Sequence, residues 1–150
     1  MIWEERLSEF RDQVAEPKPM PAAVSVAAVT ACLGLSLLIK VLRIAKQDGL
    51  AERAHLESEK LGGYADEDIE AYKGRKPAQV PLRAAESAIA GLELCHEAAS
   101  LVMGPTRADL QSAAAMIAAA ARSMLLCAEA NGQDHFELQN RLVLLESKKF

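Results

Sequence analysis

The sequence predicts an all-α fold: a bundle of six or seven helices around a buried, wholly apolar second helix. Three observations carry this. The segment from Ala22 to Ile39 contains no charged residue and follows a proline-bracketed entry, Pro19-Met20-Pro21. Apolar residues elsewhere recur at spacings of three and four, the period of one helix face, and no strand alternation or internal repeat stands out. Aromatic residues make up only 4% of the chain while alanine is abundant, a balance that favours closely packed helices over sheets. With 150 residues, the chain reads as one domain, 1–150, long enough to bury a real core.

Each element has its own local reason. Trp3, Leu7, Phe10 and Val14 give a first amphipathic helix that ends before Pro17. Pro17-Lys18-Pro19-Met20-Pro21 is a stiff extended linker, because each proline fixes its own φ and biases its predecessor away from helix. Pro21 suits the first turn of the second helix, which is expected to run to about Gln47 and stop at Asp48-Gly49. A charged helix follows from Leu50 to about Lys73, and its Gly62-Gly63 pair either breaks it or admits a close neighbour. Pro81 opens a helix through Ile89 and Leu92 to Met103, closed by Gly104-Pro105. Thr106 and Asp109 form a capping box for an alanine-rich helix that reaches Ala130 and ends at Asn131-Gly132. A last helix from about Asp134 carries Phe136, Leu138, Leu142 and Leu145.

The apolar second helix raises a membrane question. Its length reaches the lower limit for a spanning segment, and Lys40 and Arg43 follow it as a positive flank would. Its composition, rich in Ala and Ser with Thr30 and Gly34, instead fits the central helix of a bundle, so no membrane partner is expected. Glu4, Glu5, Glu9 and Asp12 are the wrong flank for an export signal. A net charge of −4, with no basic stripe, excludes an electrostatic footprint for nucleic acid. Cys32, Cys95 and Cys127 lie far apart in apolar stretches, without metal or disulfide spacing; the reading is three reduced core thiols in a cytoplasmic protein.

Pro19-Met20-Pro21, three residues, then Ser25-Val26-Ala27-Ala28 resembles a motif of the formiminotransferase-cyclodeaminase C-terminal family: proline–x–proline, three glycines, then serine–valine–alanine–alanine. That family includes methenyltetrahydrofolate cyclohydrolases and formiminotetrahydrofolate cyclodeaminases. The similarity continues through the segment from Ala65 to Tyr72, Val80-Pro81-Leu82, Asp109-Leu110 and the alanine-rich helix ending near Asn131, in the family's order. The resemblance implies an all-α homodimer, a tetrahydrofolate derivative as substrate and no tightly bound cofactor.

Three departures from the family pattern bear on the site. The triple glycine is here Ala22-Ala23-Val24, which resists the positive φ that a backbone anion nest needs and should wind into the helix. The connection from Tyr72 to Pro81 is short, and Cys127 stands where the family often has asparagine. All three remove polar or flexible elements that would line a folate site.

The chemistry implied by the family adds water to the cationic amidinium carbon between two folate nitrogens, or closes that bridge with loss of ammonia. Either needs a carboxylate near the carbon and a proton shuttle. By resemblance the catalytic candidate is Asp68, with Asp66, Glu70 and Tyr72 nearby; the plainer reading is an acid favoured by a helix N-terminus. Candidate substrate-binding residues are Ser25, Asp109 and Asn131, with Lys73, Arg75 and Lys76, beside Arg83, for a folate glutamate tail. Each has a bland counterpart: Ser25 bonding back along its helix, Asp109 capping, Asn131 stopping a helix, the cations solvated. His96 reads as a packing residue, and His55 and His135 as surface. Two functions stay open: a minimal folate cyclohydrolase or cyclodeaminase, and a non-catalytic helical dimerisation or partner-binding module that kept the fold and lost the site.

Overall fold

The computed structural model describes residues 1–74 and 79–150. A short 3-10 turn, Ile2–Glu4, precedes six α-helices: α1 (Leu7–Ala15), α2 (Ala23–Ile44), α3 (Asp48–Lys73), α4 (Val80–Ala98), α5 (Thr106–Ala130) and α6 (Phe136–Glu146). No strand occurs among the described residues. The all-α bundle predicted from the sequence is the fold observed.

The core is assembled around α2, which packs most extensively against α3 and α5, while α4 lies against both of those helices and α6 closes over α4 and α5. Leu35, Leu38, Val41 and Leu42 of α2 are buried with Leu61 of α3, Ile89 of α4 and Leu110, Ile117 and Met124 of α5. Each such leucine or isoleucine contributes about 1.5–3 kcal/mol by leaving water. Small residues set the spacing. A Cβ on Gly34 would lie 2.9 Å from Ile117 Cγ1 and 3.2 Å from the Ala113 carbonyl oxygen, so glycine lets α2 and α5 cross closely. Ion pairs join helices at the rim: Arg53 to Glu97 through two bonds of 2.8 and 3.0 Å, Arg141 to Glu93 at 2.9 Å and Arg122 to Glu146. Exposed pairs of this kind add at most about 1 kcal/mol each.

Several boundaries differ from the sequence-based expectation. The helix predicted around Trp3, Leu7, Phe10 and Val14 is split at Glu5 and Arg6, both extended, and only Phe10 of the four is buried. Ala22 is extended, so α2 begins at Ala23 and Pro21 stands outside its first turn. At its other end α2 stops before Gln47, because Lys46 takes a left-handed φ of 57°. The Lys46 N–H then donates to Arg43 O (3.1 Å) and the Gln47 N–H to Leu42 O (2.8 Å), satisfying the last carbonyls. Asp48 and Gly49 consequently open α3 instead of ending α2. Gly62-Gly63 leave α3 unbroken; Gly62 faces the Trp3 indole, whose Nε1–H donates to the Gly62 carbonyl at 3.0 Å. Helix α4 ends at Ala98, short of Met103, where Arg107 Nη1 donates to Ala99 O at 2.8 Å and Val102 O at 3.4 Å. Thr106 is already helical, with Pro105 in the cap position, so no Thr106–Asp109 capping box forms.

Two helices, α2 and α5, are long and apolar enough to cross a membrane; 61% of the apolar span of α2 and 44% of that of α5 are buried within the bundle. Sequence reasoning singled out the first alone.

Candidate functional site

One end of the bundle gathers the start of α2, the last turns of α3, the start of α4 and the end of α5. Ser25, in the first turn of α2, is fully buried, and its hydroxyl donates to the Ala65 carbonyl of α3 at 2.8 Å. The bond is neither to its own helix nor to open space. It ties α2 to α3 and gives the buried hydroxyl the partner it would otherwise lack. Val24 beside it is buried, and Ala22, Ala23 and Val24 show no positive φ. The Ala22-Ala23-Val24 segment therefore runs from one extended residue directly into helix, as expected from its side chains.

Helix periodicity splits the acids of α3 between two faces. Asp66, Ile69, Glu70 and Lys73 share one face, and Asp68 continues the other, which carries buried Leu61 and Ala65. Asp68 is half-buried, and no hydrogen bond or ion pair engages it among the described residues. Loss of solvent pushes its carboxyl above the ordinary carboxylate range. Its charge reaches Cys127 near the end of α5, where burial first and the Asp68 charge second raise the thiol. A desolvated carboxyl at a junction of helices holds its proton more readily than a surface aspartate, and among the described residues it has no partner to surrender before acting.

The opposite face of α3 lines a cavity of about 320 Å³, closed on its far side by the N-terminal arm. Asp66, Ile69, Glu70 and Lys73 form one wall, and Met1, Ile2, Glu5, Gln13, Met20 and Pro21 form the other. Asp66 accepts the Ile2 N–H at 3.0 Å, and the Lys73 ammonium sits 3.4 Å from Glu70 Oε1. Arg83 of α4 bonds to Glu67 and stacks its guanidinium 5.4 Å from the centre of the Tyr64 ring. The contribution of the arm carried no signal in the sequence, because it depends on a fold-back across more than sixty positions.

The remaining candidates divide by position. Asn131 is the exposed C-cap of α5, at the Asp68 end, followed by Gly132 in the left-handed region. Asp109 lies at the other end of α5, about 27 Å from Cys127 along the helix, and pairs with Lys40 of α2 at 2.5 Å. Arg75 and Lys76 fall outside the described residues. His96 stacks on Phe150 with ring centres 4.5 Å apart, His55 pairs with Glu59 at 3.3 Å on the surface, and His135 precedes α6. Cys32 and Cys95 are buried and pushed by desolvation up to about 11 and about 12, so both stay protonated and inert at neutral pH. Cys127 is only half-buried, less enclosed than a core thiol. Among the described residues, no three His, Cys, Asp or Glu side chains converge as a metal set.

No protein-family model matches the chain, and no curated protein matches it.

Proposed function

We propose that the chain is a cyclodeaminase/cyclohydrolase-like protein of folate one-carbon metabolism, acting on methenyltetrahydrofolate or formiminotetrahydrofolate, with Asp68 as its acid–base residue. The observation that carries this reading is the half-buried Asp68 carboxyl, unpartnered among the described residues and raised by desolvation, within the segment that resembles the family. In the hydrolytic direction, water adds to the amidinium carbon while the Asp68 carboxylate takes its proton. The same proton passes to the ring nitrogen as the carbon–nitrogen bond opens, and the proton of the added hydroxyl leaves to solvent as its oxygen becomes the formyl carbonyl. Of the cations read as candidates for a carboxylate tail, Lys73 ends α3 and pairs with Glu70.

The test is the decay of 5,10-methenyltetrahydrofolate absorbance with the protein, against buffer and against Asp68→Asn. Decay faster than buffer, lost in a variant that keeps its helical circular dichroism, is the expected result. Decay at the buffer rate, with the formimino substrate also unconverted, would overturn it.

A second reading has its own observation. The Ser25 hydroxyl is sealed and committed to Ala65 O, so a ligand would have to displace a core contact to reach it. That arrangement favours a non-catalytic helical dimerisation or partner-binding module, and a negative result in both assays selects it.

A further inference from the structure

We infer that the cavity under the N-terminal arm binds a small organic cation, an ammonium or guanidinium on a short apolar stem, whose charged group bonds to Glu5. One atom points to this ligand. Glu5 stands in the cavity wall, and its Oε2 is sealed from solvent with no hydrogen-bond partner among the described residues. A carboxylate oxygen withdrawn from water is unfavourable until a donor or a cation completes it.

The chain's own cations nearby are engaged elsewhere. In the arm and the proline linker, Arg6 pairs with Glu9, Arg11 with Asp12 and Lys18 with Glu16. Lys73, the basic side chain in the cavity wall, pairs with Glu70 at 3.4 Å, and both are exposed, so that pair marks the mouth. Deeper in, Asp66 is half-buried and Ile2 is buried. The Ile2 N–H bond at 3.0 Å occupies Asp66 Oδ1 and leaves the second oxygen of that carboxylate to a ligand. Glu5 and Asp66 therefore line the inner cavity as acceptors with no cation between them.

Size and lining narrow the class. A volume of about 320 Å³ lies at the small end of the range for organic ligands. Ile2, Met20, Pro21 and Ile69 offer apolar surface beside the acids. Among the described residues no acids converge as a metal set, so the charge is spread along the walls. An ammonium carries three donors and its stem covers the apolar wall, whereas a bare metal ion needs several oxygens around one point. An anionic tail would be repelled by Glu5 and Asp66. The inference stands apart from folate turnover at Asp68, which lies on the other face of α3, and it is read without an activity assay.

Glu5 belongs to the arm and Asp66 to α3, so a cation held between them ties the arm down and favours its closed position. Trp3, two residues from Glu5, reports that closure. Putrescine, a diamine, titrated into the full chain at neutral pH and constant ionic strength should give a saturable change in Trp3 emission. It should also move the urea midpoint of that emission upward. Butanediol, of the same length and uncharged, should do neither. Glu5→Gln keeps the side-chain shape without the charge and should weaken the apparent affinity roughly tenfold or more, with helical circular dichroism unchanged. If Glu5→Gln displaces the arm, seen as a shifted Trp3 spectrum before any ligand is added, Asp66→Asn decides instead. That variant keeps an acceptor for Ile2 and should weaken binding in the same way. No saturable change with putrescine, an equal response to butanediol, or undiminished affinity in the deciding variant would each overturn the inference. So would an equal response to magnesium chloride, which would make the cavity a metal site.

Discussion

Lys46 holds a left-handed backbone conformation that glycine adopts without steric cost, and it does so at a helix end whose hydrogen bonds are already complete. Lys46→Gly should therefore raise the free energy of unfolding by up to about 1 kcal/mol in a urea titration, without altering the helix ends. Asp68 makes the opposite kind of residue-scale demand. Its carboxyl is raised in the fold by burial, so the stability it contributes is present below its ordinary value and is lost as pH rises through the raised one. At neutral pH the ionised group weighs against the fold. Asp68→Asn should raise the melting temperature at pH 7 and leave it unchanged near pH 3, and equal shifts at both would contradict the assignment. The acidic run around Asp68 was legible in the sequence, but its half-buried setting was not. Which face of α3 turns inward is decided by Ala65, Leu61 and the packing of α2, not by the run of acids itself.

At the scale of elements, the α2–α5 crossing depends on the missing side chain of Gly34. Gly34→Ala must move Ile117 and the Ala113 carbonyl, and should cost about 1–3 kcal/mol. Gly63→Ala, in the exposed middle of α3 with nothing near the new methyl, should instead gain about 0.5–1 kcal/mol. Denaturation of the two variants side by side checks the contrast. The carboxy-terminal tail offers a third element: Phe150 lies on His96, whose imidazole is lowered first by burial, then by the Lys148 charge, against a hydrogen bond that the ring donates to the Leu145 backbone. A lowered histidine supports the fold fully above about 6.5, its ordinary value, and loses that support as pH falls through the value it has in the fold. The Phe150 ring should loosen over that interval, followed by its NMR line shape, and an unchanged ring at pH 5 would count against the latch. Helix existence was legible from spacing in α1, α4 and α6, and from composition and end signals in α2, α3 and α5. Helix ends were less so, because Lys46, Pro105 and Arg107 took roles that composition assigns to glycine or threonine.

For the whole molecule, low aromatic content and abundant alanine made the bundle readable before any contact was known, since short side chains pack only when helices approach closely. What stayed hidden is long-range: the arm folding back over α3, and the exposed side of α2 at Leu33 and Ile44, where the sequence predicts a helix buried all round. The arm itself is lightly held. Ile2, Trp3 and Phe10 anchor it through one buried side chain each or one hydrogen bond, while Leu7 stays 73% exposed. Segments with so few buried contacts open well below the free energy of global unfolding. The chain's single tryptophan, Trp3, sits in that arm with its indole bonded to Gly62. Its emission in rising urea should shift before the ellipticity at 222 nm falls, and coincident midpoints would show the arm to be part of the cooperative unit. The intrinsic fluorophore of this protein is thus a beacon on a detachable strap, and its light dims with the strap while the bundle stands.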